Sequence, residues 1–148
     1  MAESRAHIGA VEELSAPTMQ LGVVAVREFA EYAQMHLVRL LERFTELGCA
    51  PQNIVVKSVP SIYDVVIATQ FLAEYTDVDG VVILMPENRL ISAMPIMTGI
   101  VQMQMQWNMV ITVGGGERAE HIIEMLIMQN EMAQEAAGNG MLATQEVS

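Results

Sequence analysis

Cysteine, cationic charge, aromatic rings and long apolar runs are all scarce in this chain, and each scarcity excludes something. The single cysteine, Cys49, leaves no room for an internal disulfide or a cysteine metal site. No stretch approaches the roughly 18 uninterrupted apolar residues of a membrane span. The opening MAESRAHIGAVEEL has no apolar core of a secretory signal. The cytosol is the expected compartment. Lys and Arg number 7 against 18 Asp and Glu, giving a formal net charge of −11 and a pI near 4.5. A surface of that sign repels phosphate backbones and anionic lipid, so neither nucleic acid nor a membrane is expected as a partner. The three histidines, His7, His36 and His121, form no H-E-x-x-H or comparable cluster. His121 and Glu124 make one i, i+3 pair, which needs further ligands to hold a metal. No metal and no cofactor are expected.

What remains is apolar. Hydrophobic residues make up 52% of the 148, aromatic ones only 5%, and methionine alone contributes 13. The length is that of one domain. A composition this apolar, with 17% charged residues, predicts burial against copies of the same chain as well as within it.

Along the chain, residues 1–18 lack periodicity and read as a mobile arm ending near Pro17. Valine-rich runs at Leu21–Val26, Ile54–Lys57, Val81–Met85 and Met109–Val113 read as strands. Helical periodicity fills the intervals, at Ala30–Leu47, Tyr63–Tyr75 and about Ser92–Trp107, and again at about Arg118–Ala137. In the first of these, Leu37, Leu40, Leu41 and Phe44 share one face, with Arg39, Glu42, Arg43 and Glu46 opposite. Residues 19–137 thus form one α/β domain, and 138–148, rich in Gly, Ala and Thr, a flexible tail. Four strand–helix alternations with continuously apolar strands predict a parallel four-stranded (or slightly larger) sheet in a three-layer, flavodoxin-like sandwich. Ligands of such sheets bind beyond the carboxyl ends of the strands. The segments to search are 27–30, 58–64, 86–92 and 114–118.

Gly114-Gly115-Gly116 lies between a strand and a helix, where backbone N–H groups can approach an anion. It lacks the G-x-G-x-x-G pattern and a Walker lysine, and Glu117 brings negative charge, so an ordinary strand-to-helix turn is the preferred reading. Met94, Met97, Met103 and Met105, with Met125, Met128 and Met132, suit a core or a subunit interface better than a cofactor pocket. Segment 59–64, Val-Pro-Ser-Ile-Tyr-Asp, is the most informative. It sets Tyr63 and Asp64 beside a helix start, where a ring and a carboxylate can grip a polar ligand. A first-turn acid stabilised by the helix dipole is the structural alternative.

In order and spacing these segments resemble the lumazine synthase family and its relative, the archaeal-type riboflavin synthase. LGVVAVREF is similar to that family's strand followed by S-R-F-N. GCAPQNIVVKSVPSIYD is similar to its G…NI-x-V-x-x-VPG-[AS]-[FW]-E, and DVDGVVILM to its DAVI-x-LG. MTGI and NMVITVGGG follow, similar to KG[IL] and P[IV]-x-FGV. The resemblance covers about residues 21–137. It implies a homopentamer or a larger icosahedral shell, and a site between subunits that binds a ribityl-pyrimidine, lumazine or flavin-like ligand of riboflavin biosynthesis. Tyr63 matches the family's aromatic, Asp64 its acid, Ser61 its glycine and Arg27 its arginine. Glu28 replaces the stacking Phe and Phe29 the Asn, while Arg89 stands near the loop arginine. Met132 stands where a lysine is expected. The segment Met-Pro-Glu-Asn-Arg-Leu-Ile-Ser is shorter than the family loop and lacks its histidine. Two functions follow. In one, Arg27, Phe29, Ser61, Tyr63, Asp64 and Arg89 bind a ribityl or flavin-like compound. In the other, the chain is a catalytically inactive ring, shell or scaffold. No catalytic residue is assigned.

Overall fold

The computed structural model describes residues 15–147, with side chains described as far as residue 138. Residues 1–14 of the expected arm, His7 among them, lie outside the described residues. Ala16–Thr18 forms a short 3-10 turn, in which the Ser15 N–H donates to Thr18 Oγ1 at 3.1 Å.

Four strands and four helices alternate: β1 (Leu21–Val26), α1 (Ala30–Glu46), β2 (Ile54–Val59), α2 (Val65–Tyr75), β3 (Gly80–Leu84), α3 (Met94–Trp107), β4 (Val110–Gly114) and α4 (Arg118–Val147). The strands pair in parallel in the order β2-β1-β3-β4. Leu21 lies opposite Ile54 on one side and Gly80 on the other, and Gly80 lies opposite Val110. Every residue of β1 and β3 is buried, as a strand covered on both faces must be.

Alternation along the strands feeds two cores. Val24, Val26, Val81 and Ile83 face Leu72 of α2 and Ile100 and Trp107 of α3. Leu21, Val23, Val82 and Leu84 face Leu40 and Phe44 of α1 and Ile122 and Leu126 of α4. Burying a side chain such as Leu or Phe stabilises by roughly 1.5–3 kcal/mol. The apolar stripe of α1 read from the sequence is divided: Leu40 and Phe44 are fully buried, while Leu37 and Leu41 are half-buried at its flank. The fold is the flavodoxin-like three-layer sandwich expected.

Strand bounds shift by one or two residues, with β2 running on to Val59 and β3 and β4 each displaced by one, and three larger differences concern the helices. Residues 87–92 form a 3-10 turn of their own, so α3 starts only at Met94, with Pro95 in its first turn, where a proline is tolerated. Ile62–Asp64 is likewise a 3-10 turn before α2. Helix α4 runs to Val147 rather than Ala137, because isolated glycines cost a helix about 1 kcal/mol each without ending it.

The outer edge of β4 is partly closed by side chains. Gln104 Oε1 accepts from the Ile111 N–H at 3.3 Å, and Gln129 Nε2 donates to the Asn108 carbonyl at 2.7 Å. Among the described residues, no helix is long and apolar enough to cross a membrane.

Candidate functional site

The chain runs from β1 outward to β2 and then crosses back over β1 to β3 on its other side, so the carboxyl ends of β1 and β3 flank the crevice typical of this strand order. A 3-10 turn follows each of the first three strands: Arg27–Phe29, Ile62–Asp64 and Glu87–Ser92. All six residues singled out in the sequence lie on these turns or, for Ser61, one residue before. Parallel pairing in register brings the three turns to the same end of the sheet.

Specific bonds join them. Glu28 Oε1 accepts from the Ile62 N–H at 2.7 Å, tying the turn after β1 to the turn after β2. Arg27 Nη1 donates to the Ser58 carbonyl at 3.3 Å and to Ser58 Oγ at 3.2 Å. The Arg89 guanidinium carbon lies 5.5 Å from the centre of the Phe29 ring, within range of a cation–π attraction. Two of the chain's few cations therefore meet at this crevice. Phe29 packs with Ile62 against the core beneath α2 and α3.

Ser61 and Asp64 form a local pair. Asp64 Oδ2 accepts from the Ser61 N–H at 3.0 Å and from Ser61 Oγ at 3.1 Å, while Ser61 Oγ accepts from the Tyr63 N–H at 3.2 Å. This is a reciprocal cap on the turn that opens α2. Ser61 has an extended backbone, φ −144°, which any residue adopts without strain. The pair makes Asp64 a cap of this turn, with its Oδ2 engaged. Tyr63 stands apart from the other five. It is 82% exposed.

A second polar cluster gathers at the same end of the sheet, on the face of α1 and α4. His36 and His121, read from the sequence as isolated, both belong to it. His36 Nδ1 accepts from the Gly116 N–H at 3.1 Å, and its ring stacks on Tyr32 with centroids 4.0 Å apart. Glu117 Oε1 accepts from the Gly115 N–H at 3.0 Å. Arg118 donates from Nε to the Val113 carbonyl at 2.9 Å and from Nη2 to Glu87 Oε2 at 2.5 Å, and its Nη1 lies 3.2 Å from His121 Nδ1.

Gly114 has φ +152°, and a Cβ there would meet Arg118 and Glu117, whereas Gly115 and Gly116 are required by the close approach of α1. A Cβ on Gly115 would fall 2.1 Å from His36 Nδ1, and one on Gly116 2.8 Å from the Arg39 Cβ. Two N–H groups that an anion would need are thus occupied by His36 and Glu117. The loop is a packed turn, in line with the preferred reading.

Burial pushes the Tyr32 phenol above its ordinary range, with Glu117 and Glu87 adding to the rise and Arg118 opposing it. For Glu117, burial acts upward, but hydrogen bonds from the Gly115 and its own N–H, with Arg118 and His36 nearby, hold its carboxyl below the usual range.

At the β4 edge, α3 and α4 frame a groove of about 700 Å³ lined in part by Met105, Met109, Met125, Met128 and Met132. Among the described residues, no group of three or more His, Cys, Asp or Glu could hold a metal ion. The turn after β3 carries Glu87 and Arg89 and no histidine. Chain-wide comparisons add no further constraint: no protein-family model and no curated protein matches this sequence.

Proposed function

We propose that the chain assembles into a homo-oligomeric ring, a pentamer or a larger shell of pentamers, that binds a ribityl-pyrimidine, lumazine or flavin-like compound between subunits, in or near riboflavin biosynthesis. The observation that carries the reading is the gathering of Arg27, Phe29, Ser61, Asp64 and Arg89 on or beside the turns at the carboxyl ends of β1, β2 and β3, with Tyr63 exposed on the second of them. Such a site offers a ring to stack, cations for a carbonyl or phosphate, and oxygens for ribityl hydroxyls. Tyr63 lies open to solvent, where a neighbouring subunit would complete its surroundings.

Charge and exposure support self-assembly. Helices α2 and α3 carry one charged residue between them, Glu74, in a chain of net charge −11. Tyr63 in the turn before α2, and Ile67, Phe71 and Tyr75 along it, are all exposed at four-residue spacing. The methionine groove at the β4 edge is a second apolar patch. Two unlike apolar patches suit a heterologous contact, which closes into a ring when its rotation allows.

The second reading, an assembly without ligand chemistry, is favoured by the same crevice. Asp64 is engaged with Ser61 and Arg27 with Ser58, and the turn after β3 supplies no group that titrates near neutrality for the proton transfers of lumazine formation.

Titration of the purified protein with riboflavin, FMN and lumazine, followed by flavin fluorescence, separates the two. The expected outcome is saturable binding to an oligomer sized by light scattering. No binding at high micromolar ligand by a stable large assembly overturns the ligand reading. Lumazine formation that is lost in Asp64→Ala overturns the inert scaffold.

A further inference from the structure

We propose that His36 is an acid-sensitive latch on the glycine loop after β4, holding the loop only while its imidazole is neutral. The inference is independent of what the crevice binds. Helix α1 places the His36 ring against the loop so closely that any Cβ on Gly115 would collide with Nδ1. The bond from the Gly116 N–H at 3.1 Å fixes the roles of both atoms. An amide N–H only donates, so Nδ1 supplies the lone pair and the ring proton sits on Nε2. A proton added at Nδ1 sets donor against donor, and the bond is lost.

The charged and titratable neighbours determine where the protonated ring goes. From α1 come Tyr32, stacked on the ring, and Arg39 beside Gly116. From the loop and α4 come Glu117 and Arg118, and from the turn after β3 comes Glu87, which acts with them on Tyr32. Glu117 is the carboxylate that interacts with His36, and it is held by the Gly115 N–H. An imidazolium drawn to Glu117 leaves Gly116 and competes with Gly115 for the carboxylate. Both hydrogen bonds that shape the loop then weaken together.

His121 follows the same logic. The Arg118 guanidinium only donates, so His121 Nδ1, 3.2 Å from Nη1, is an acceptor, and protonation breaks that contact too. The effect has a path to the crevice. Arg118 also holds Glu87, the first residue of the turn that carries Arg89 over Phe29.

Histidine is the side chain that ordinarily changes charge between pH 5 and 8. The test is backbone amide exchange of the full chain across that range, corrected for intrinsic rates, with the His36 ring titration followed by NMR in the same samples. Protection of the Gly116 amide is expected to fall at least about tenfold in step with His36 protonation, while Ile83 in β3 keeps its protection. In His36→Asn, whose Oδ1 accepts without titrating, Gly116 protection is expected to be flat with pH. Constant Gly116 protection while His36 titrates overturns the latch, and so does an unchanged pH response in His36→Asn. If that variant does not fold, the wild-type exchange and titration decide alone.

Discussion

The Arg89 guanidinium carbon lies 5.5 Å from the centre of the Phe29 ring, joining the turn after β3 to the turn after β1. An exposed cation–π pair contributes about 0.5–1 kcal/mol, so Arg89→Ala is expected to shift the urea midpoint only slightly. Under the proposed ligand reading the same variant weakens flavin or lumazine binding by about tenfold, the loss of roughly one charge-assisted contact. Fluorescence titration beside urea unfolding separates the two effects.

Gly115→Ala is expected to cost about 1–3 kcal/mol, as overpacking does, because its Cβ meets His36 Nδ1. Combining it with His36→Ala removes the collision. A double-mutant cycle by urea unfolding should therefore show clear coupling, with the pair less destabilised than the sum of the single variants.

The Ser61–Asp64 cap makes a separate claim on stability. Asp64→Ala should cost about 1 kcal/mol whatever the crevice binds, and thermal unfolding measures it. Asp64→Asn, which keeps an acceptor oxygen, should lose less.

Glu117 is held below the usual carboxylate range in the folded chain. The sign follows from proton binding. Between the lowered value and the ordinary value of about 4.3, the unfolded chain binds more protons than the folded one, so stability falls as pH falls. The contribution is complete above the ordinary value. Unfolding midpoints measured from pH 6 down to 3 should decline less steeply in Glu117→Gln than in the wild type.

Phe71 and Met105 are exposed on the nearly uncharged helical layer. If copies meet through it, Phe71→Glu together with Met105→Glu places charge in the contact and should shift the light-scattering mass toward monomer, with circular dichroism unchanged. An unchanged mass would remove these residues from the assembly.

The parts of the fold legible in the sequence were those governed by local pattern. Leu21–Val26 is a strand in both, since an unbroken valine-rich run of that length has few alternatives. The turn after β3 was less legible, because Leu90 is buried and Ile91 exposed, so residues 87–92 carry no clean helical period. The crevice was found through segment order, and the strand pairing supplied its proximity. The His36–Gly116 bond was out of reach. It joins residues 80 positions apart, and neither a lone histidine nor a run of glycines announces its partner.

The side-chain bonds at the β4 edge have a consequence for solubility. An outer strand normally offers unpaired amides and carbonyls on which a foreign strand can grow. Here Gln104 occupies the Ile111 amide, and Gln129 binds the Asn108 carbonyl just before the strand. A chain this rich in Val, Ile and Met is thereby denied one template for sheet-to-sheet extension.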